Sequence, residues 1–245
     1  MAAVNPLDEG ITLGRRDLDV LMVLGTSAQN FVDGLSTNLV PSESGQAIRT
    51  CFTDRAARIL GTAYLLTREE GVVLVVHRMW TEALLEHLAS KRLGQPLEFR
   101  NLSDRNHVCF VLNPTTDLPI GTWRVEGTAT VARVHDALLL SIAPGPMPAS
   151  IDDASAAWTH WRVKHRWPED GAEVTSDRHP LACGLEGTVH PNKGCYLGQE
   201  VLTRMRSRNK SGWLLKQGLV DEFDPTTITS ESNGWALAIV RQTIQ

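Results

Sequence analysis

The chain alternates short apolar stretches with polar breaks, and most of the stretches have the length and period of β-strands. Residues 18–24 place apolar side chains at every second position, which is typical of a strand with one buried face. Residues 72–76 are apolar without interruption, which predicts a strand in the middle of a sheet. Because most connections are short, the pattern favours antiparallel hairpins. The other predicted strands are 47–53, 58–67, 97–102, 107–112, 122–126, 128–134, 137–142, 213–220 and 234–241.

Helical spacing is clearest in two segments. Apolar residues recur at helical intervals over 80–88, and Gly94 and Pro96 then close that helix. A second helix is predicted to begin at Asp152 or Asp153 and to run to about residue 166. Strands that flank a packed helix occur twice, before and after about residue 45. The pattern therefore predicts an α+β fold of ferredoxin-like type.

The second predicted helix carries a stripe of large and polar side chains, Trp158, Trp161, Arg162 and His165. Two tryptophans and an arginine on one face can stack on a flat heterocycle and pair with a carboxylate. Tryptophans at this spacing are also typical of a buried core. The pattern alone leaves both interpretations open.

The stretch Lys-Gly-Cys-Tyr-Leu-Gly-Gln-Glu at residues 193–200 holds the densest chemistry in the chain. Gly194 and Gly198 permit a tight turn that leads into a helix. The thiol of Cys195 is then expected near the unpaired N–H groups of a helix start and near Lys193, and both features lower the pKa of a thiol. A free cysteine is also often buried as a small apolar residue. A functional thiol and a space-filling one are both open at this point.

The cysteines are widely spaced and include no Cys-x-x-Cys pair, which predicts reduced thiols rather than a disulfide framework. They stand at positions 51, 109, 183 and 195. Metal-ligand side chains occur together over 179–195 but lack the close pairs of a structural zinc site. We therefore expect neither a metal site nor a resident iron–sulfur cluster. The residues considered for such a site are His179, Cys183, His190 and Cys195.

Composition bounds the remaining possibilities. With 245 residues, 42% apolar and 21% charged, the chain is expected to form one large globular domain or two interleaved ones. No apolar run approaches the roughly 20 residues of a membrane helix, and residues 1–16 lack a signal-peptide core. We therefore expect a protein of the cytoplasm with no membrane partner, or of an organelle if a presequence was removed.

Charge is unevenly distributed along the chain. The net charge of −4 gives no general attraction to nucleic acid. Basic residues are nevertheless concentrated over 193–216, where Glu200 is the one acidic residue. In extended backbone, the basic residues at every second position of 204–210 would line one edge and suit phosphates. These residues are Arg204, Arg206, Arg208 and Lys210.

Several of these segments together resemble one known family. Residues 193–200 resemble the signature Lys-Gly-Cys-Tyr-x-Gly-Gln-Glu of the YgfZ family of folate-binding proteins, which are relatives of the glycine-cleavage T-protein, an aminomethyltransferase. Phe31–Asn38 is similar to that family's Phe-Leu-x-Gly-x-x-Thr-Asn segment, and Pro180–Leu185 to its Pro-Leu-Glu-x-Gly-Leu segment. Ala236–Arg241 resembles the last strand of the family's C-terminal barrel. The matches occur in the family's order and span most of the chain.

The resemblance implies a particular architecture. Residues 1–212 are expected to form a T-protein-like folate-binding module of interleaved ferredoxin-like α/β subdomains with antiparallel sheets. Only about 30 residues follow position 213, too few for a closed barrel. Residues 213–245 are therefore expected to be a truncated remnant of the C-terminal β-barrel. An open strand edge there would favour a homodimer.

The resemblance also implies a function. The chain would be an accessory protein that binds tetrahydrofolate or a derivative and supports iron–sulfur cluster assembly or repair, or cluster-dependent tRNA modification, with client proteins as partners. Cys195 would be the functional thiol and Lys193 would lower its pKa. The residues implied to shape the loop are Gly194, Tyr196, Gly198, Gln199 and Glu200. The residues implied to contact folate are Asn38, Trp161, Arg162, Arg204 and Arg206.

Two positions depart from the family pattern. Leu39 stands where an acidic residue commonly follows Thr-Asn, and Ala182 replaces the glutamate of the second segment. The N–H groups of a pterin need such acceptors, so Asp33 or Glu186 would have to replace them. Two alternatives also stay open. One is a folate-dependent one-carbon transferase of the aminomethyl type, and the other is a non-catalytic RNA- or protein-interaction module that uses residues 204–210.

Overall fold

The computed structural model describes residues 10–208 and 211–242. None of the helices in these ranges is long and apolar enough to cross a membrane. The helices are α1 (Ala28–Asp33), α2 (Arg78–Lys91), α3 (Ser155–His165) and α4 (Gln199–Ser207). The strands are β1 (Ile11–Gly14), β2 (Leu18–Leu24), β3 (Ala47–Thr53), β4 (Ile59–Arg68), β5 (Gly71–His77), β6 (Glu98–Asn101), β7 (Asn106–Leu112), β8 (Trp123–Glu126), β9 (Ala129–His135), β10 (Leu138–Pro144), β11 (Trp213–Leu219), β12 (Ile228–Ser232) and β13 (Trp235–Arg241). The strand pairs β1–β7, β7–β10, β9–β10, β8–β9, β2–β5, β2–β6, β4–β5, β11–β13 and β12–β13 are antiparallel, as the short connections predict.

The chain forms two compact units whose segments alternate along the sequence. The C-terminal strands belong to the same unit as α3 and α4. The predicted division into an interleaved module and a C-terminal remnant at residue 212 stays a prediction. Among the described residues, the first unit takes its segments from Met1–Asp33, Val40–Arg49 and Ala63–Ala154. The second takes its segments from Gly34–Leu39, Thr50–Thr62 and Ser155–Gln245.

The first unit is built on two antiparallel sheets. One has the strand order β1-β7-β10-β9-β8. The other has the order β3-β4-β5-β2-β6, and its strands β3 and β4 continue into segments of the second unit. The continuously apolar residues 72–76 are buried within β5, the middle strand of that sheet. The prediction of a central strand there is confirmed, because a strand with neighbours on both sides and both faces covered tolerates apolar residues throughout.

The second unit contains α3, a long irregular segment, α4 and a three-stranded sheet of order β11-β13-β12. The irregular segment includes two short 3-10 turns at Pro180–Cys183 and Glu186–Thr188. A small apolar core joins α3 to the sheet. It consists of Val163, Leu215, Leu237 and Ile239.

The C-terminal sheet differs from its prediction. Residues 228–232 lie between the predicted strands 213–220 and 234–241, where no strand was predicted, but they form β12 and pair with β13. This strand was missed because it is an edge strand whose side chains are half-buried or exposed, so it needs no apolar period. The proposed homodimer through these strands stays a prediction.

The basic run also differs from its prediction. Helix α4 continues to Ser207, so the arginines are not on extended backbone. A separation of two residues along a helix corresponds to a rotation of about 200°, which places alternate residues on opposite sides. The expected single edge of charge is therefore wrong for Arg204 and Arg206, and Lys210 lies outside the described residues.

Candidate functional site

The segment from Lys193 to Glu200, which we call the Cys195 loop, leads into α4 in the second unit. The thiol of Cys195 is exposed, whereas the other three cysteines are buried. Of the two interpretations left open by the sequence, the buried, space-filling one is wrong, and the functional one stays a prediction. Among the four cysteines, Cys195 is therefore the one whose thiol is accessible.

The backbone conformation requires glycine at only one of the two glycine positions in the loop. Gly198 has a φ of 85°, and a Cβ there would lie 2.7 Å from the carbonyl oxygen of Asp54 and 2.8 Å from Cα of Ala57. Gly194 has no positive φ and faces open space. The turn therefore forms at Gly198, the N-cap of α4, and Cys195 lies ahead of the helix. The expected influence of the helix start on the thiol stays a prediction.

Lys193 is an anchor of the loop. Its side chain is only 8% exposed, and Nζ donates to the backbone carbonyls of Ser36 at 2.9 Å and Asn38 at 2.8 Å. The ammonium also lies 5.6 Å from the centre of the Tyr196 ring. These contacts fix the start of the loop against residues 36–38, a role that the sequence did not predict. The expected effect of Lys193 on the thiol stays a prediction.

Thr37 ties the segment before the loop to β3. Its hydroxyl donates to the carbonyl of Thr188 at 2.6 Å and accepts from the amide of Cys51 at 3.2 Å. Its carbonyl accepts from the amide of His190 at 3.0 Å. The Thr-Asn pair noted in the sequence thus supports the Cys195 loop through buried backbone contacts.

The remaining loop residues divide into inward and outward ones. Tyr196 is buried in a cluster with Leu181, Val189 and Leu202, and burial raises the pKa of its phenol. Gln199 donates from Nε2 to the carbonyl of Lys193 at 3.1 Å, which closes the loop on itself. Glu200 is exposed and makes no side-chain hydrogen bond to the described residues. Of the residues implied to shape the loop, Gln199 thus does so through a side-chain hydrogen bond.

A further hydroxyl holds the loop at its end. Thr53 donates from Oγ1 to the carbonyl of Leu197 at 2.5 Å. Sequence reasoning missed Thr53 and Ser36 because hydrogen bonds to backbone carbonyls leave no side-chain pattern in the partner. Together with Lys193 and Thr37, these contacts surround an exposed thiol with a fixed backbone.

Helix α3 places its predicted ligand-binding residues inside the second unit. Trp161 is 2% exposed and Arg162 is 5% exposed. The rings of Trp158 and Trp161 stack on each other with centroids 5.3 Å apart. The core interpretation of the tryptophan stripe is therefore confirmed.

The Arg162 guanidinium is already occupied by protein carboxylates. Its Nη1 lies 2.9 Å from Oε2 of Glu173, whose side chain is fully buried, and its Nε lies 3.1 Å from Oε2 of Glu169. Its Nη2 donates to the hydroxyl of Ser230 at 2.9 Å, and that hydroxyl donates to Glu173 at 2.7 Å. Trp158 also donates to Glu169 through its indole N–H. This network joins α3 to β12 and to the following loop.

The other predicted folate contacts lie on or near the Cys195 loop. The amide of Asn38 accepts from the backbone N–H of Leu39 at 3.0 Å. Arg206 donates to the carbonyl of Val189 at 2.9 Å. Arg204 is exposed and has no ion-pair partner within the described ranges. Asn38 and Arg206 thus hydrogen-bond to the backbone, whereas Arg204 faces solvent.

These residues do not fit a folate site in the arrangement that the resemblance implies. A glutamate tail needs an accessible cation and a pterin needs an accessible ring and acceptor groups. Arg162 is neutralised by two carboxylates and Trp161 is covered. Leu39 is 46% exposed and Ala182 is buried, and neither carries an acceptor. The assignment of these residues as folate contacts stays a prediction, and their geometry does not favour it.

The residues considered for a metal site have other partners. His179 accepts the amide of Ala182 at Nδ1, and its Nε2 lies 2.9 Å from the carbonyl of Ser211. Burial raises the pKa of the Cys183 thiol to about 12. Both side chains are therefore used within the fold.

Comparison with known proteins gives the class of the fold. No protein-family model matches the chain. Among solved structures, it is similar to the glycine cleavage system aminomethyltransferase T from Bartonella henselae, with a TM-score of 0.72 and 14% identity over 94% of this chain and 78% of that one. A heterotetrameric sarcosine oxidase from Corynebacterium sp. U-96, in complex with pyrrole 2-carboxylate, aligns at a TM-score of 0.42 and 11% identity over 59% of this chain and 88% of that one.

The chain therefore has the fold of the glycine-cleavage T-protein, an α+β fold with antiparallel sheets, as the sequence predicts. At 14% identity the likeness describes the fold alone. It does not distinguish the YgfZ family from other proteins with this fold. The function has to be argued from the Cys195 loop and its surroundings.

Proposed function

We propose that this chain is a YgfZ-type accessory protein that presents the thiol of Cys195 to a client in iron–sulfur cluster assembly or repair, or in the tRNA modification that depends on such clusters. The observation that carries the proposal is the contrast within the loop between an exposed sulfur atom and anchored neighbours. Lys193 and Tyr196 point inward on either side of Cys195. A thiol held in this way can meet a macromolecule without local unfolding.

Binding of tetrahydrofolate is proposed only because the sequence resembles the YgfZ family. The predicted contact residues on α3 are buried and ion-paired, so the proposal assigns no step to folate. Titration with tetrahydrofolate, followed by tryptophan fluorescence, tests that part separately. Saturable quenching that disappears in Trp161→Phe would place the ligand at α3. It would contradict the conclusion that Trp161 and Arg162 are too buried and ion-paired to contact folate.

The test of the thiol is complementation in a cell that lacks its own family member. We expect Cys195→Ala to lose complementation at a normal protein level, because the exposed sulfur is removed without disturbing the fold. Cys109→Ala is the matched control, since that thiol is buried in the first unit. Full complementation by Cys195→Ala would contradict the proposal.

A second candidate is a folate-dependent one-carbon transferase of the aminomethyl type, which the T-protein-like fold favours. That chemistry needs a carboxylate placed to manage protons at the reacting nitrogen. Leu39 and Ala182 supply none. Incubation with methylene-tetrahydrofolate and an amine, with the product measured directly, separates the two candidates. Turnover that survives Cys195→Ala would favour the transferase.

A further inference from the structure

A cavity of about 370 Å³ lies between α3 and the C-terminal sheet of the second unit. Its size is at the lower end of the range for small-molecule sites. None of the residues that surround Cys195 contributes to it. The lining residues are His160, Val163, Lys164, Gln217, Ser232 and Trp235.

The walls of this cavity are held by specific hydrogen bonds. Gln217 of β11 donates from Nε2 to the α3 carbonyls of Val163 at 2.6 Å and Lys164 at 3.1 Å. These bonds satisfy carbonyls in the last turn of α3, which reduces the negative potential that a helix end would otherwise give the cavity. His160 of α3 contacts the hydroxyl of Ser232 through Nδ1 at 3.3 Å. The helix and both edge strands are thus joined around the cavity.

The polar groups of the cavity that can meet a ligand include two side-chain donors, the Lys164 ammonium and the Trp235 indole N–H, beside Oε1 of Gln217 and the hydroxyl of Ser232, which can accept. The amide nitrogen of Asn233 lies 3.2 Å from Nδ1 of His160 and donates to it, which leaves the proton of the neutral ring on Nε2. Lys164 is exposed and has no ion pair or hydrogen bond through its ammonium in the described part of the chain. Trp235 is 48% exposed, and its indole N–H has no partner among the described residues. The lining contains no Asp or Glu from residues 10–208 and 211–242.

The apolar part of the cavity is equally defined. Val163 belongs to the buried core that joins α3 to the sheet, and it forms an apolar floor. Trp235 adds an indole that is accessible to a planar or aliphatic group. A single lysine charge matches one carboxylate better than a phosphate dianion, for which proteins favour several donors or arginine.

We propose that this cavity binds a small monocarboxylate that carries one aromatic or branched aliphatic group. Lys164 pairs with the carboxylate and Trp235 contacts the apolar group. The site does not depend on the Cys195 loop, so it goes beyond the proposed function.

Equilibrium titration of the full chain with benzoate, followed by ligand NMR, tests the proposal. We expect saturable binding with a Kd of about 1 mM, as for a ligand of this size. Benzamide, which has the same ring without the charge, is expected to bind at least about tenfold more weakly, as is benzoate to Lys164→Met. Inorganic phosphate is expected not to compete.

Controls separate this site from general attraction to basic surface. Lys216→Met is the matched variant, because Lys216 precedes Gln217 on β11 and its side chain lies on the other face of the strand. It should bind benzoate as the unmodified chain does, whereas Trp235→Ala should weaken binding. No saturation up to about 10 mM benzoate, equal binding of benzamide, or full binding by Lys164→Met with a native melting curve would each overturn the proposal.

Discussion

The Cys195 loop and helix α3 each contain a buried cation, and the residues around the two cations are arranged differently. Lys193 is 8% exposed and donates to backbone carbonyls, while the sulfur two residues later is open to solvent. Arg162 is 5% exposed and pairs with Glu169 and Glu173, and its aromatic neighbours on α3 are buried as well. In the Cys195 loop, the buried side chains of Lys193 and Tyr196 hold the backbone on either side of the exposed Cys195 thiol. On α3, Trp158, Trp161 and Arg162 are themselves anchors.

This difference shows that a buried cation near a chemically reactive or aromatic residue can have two roles, either in the protein interior or in supporting an exposed group. A cation that pairs with buried carboxylates stabilises the interior and is no longer accessible to a ligand. A cation that fixes the backbone can leave its neighbour free to act. The comparison can be tested by removing each anchor in turn and measuring stability and thiol exposure separately.

The largest effect is expected from Arg162→Met. This change leaves the fully buried Glu173 without its cation, and breaking a buried pair in this way costs about 3–5 kcal/mol. Urea unfolding followed by tryptophan fluorescence measures it, because Trp158 and Trp161 lie on the same helix. Arg204→Met, at an exposed site on α4, is the control and should change the free energy of unfolding by less than about 0.5 kcal/mol. Equal stability of Arg162→Met and the unmodified chain would show that the Arg162–Glu173 pair is not an anchor, and would leave Arg162 open as a ligand contact.

A smaller effect is expected from Lys193→Met. The variant loses two charge-assisted hydrogen bonds to carbonyls near the start of the loop, at a cost of about 2–3 kcal/mol. Because those bonds fix the loop, we also expect faster amide hydrogen exchange at residues 194–198 than in the unmodified chain. Lys193→Arg, which keeps the charge and donors, should recover part of the loss. Unchanged exchange in Lys193→Met would remove the anchor role.

The two loop glycines provide an internal comparison. Gly198→Ala is expected to destabilise by about 1–3 kcal/mol, because its backbone is left-handed and the new Cβ would meet Asp54 and Ala57. Gly194→Ala is expected to be neutral within about 0.5 kcal/mol, because that position faces open space. Thermal unfolding of the two variants side by side measures the difference. Equal destabilisation would place the turn elsewhere in the loop.

Much of the fold could be predicted from the sequence because burial leaves a periodic record. The apolar run at 72–76 identified the middle strand of a sheet, and the helical interval over 80–88 identified α2. Strand β12 was missed because it is a polar edge strand paired on one side. The helical continuation of α4 was also missed, since alternating arginines resemble an exposed strand when their backbone state is unknown.

The site could be predicted only in part. The octapeptide identified the exposed thiol, but it gave no indication that Lys193 donates to Ser36, 157 residues away. Backbone carbonyls are the same in every residue, so no residue pattern marks such a partner. The partner of Arg162 was missed for another reason. Glu173 lies in the irregular loop after α3, where no period indicates which side chains turn inward.

The smallest effect on stability is expected at Cys195 itself, where the structure predicts a large change in thiol reactivity instead. Because this side chain is exposed, Cys195→Ala should change the free energy of unfolding by less than about 0.5 kcal/mol. A thiol reagent at pH 8 should modify one sulfur rapidly in the folded chain and none in the variant. Burial raises the pKa of Cys109 to about 11 and that of Cys183 to about 12, so both stay protonated as well as covered. Cys51 is buried with its sulfur 3.1 Å from the hydroxyl of Thr188. These three should react only after unfolding, and rapid labelling of any of them in the folded Cys195→Ala chain would show that the loop is not what sets thiol access.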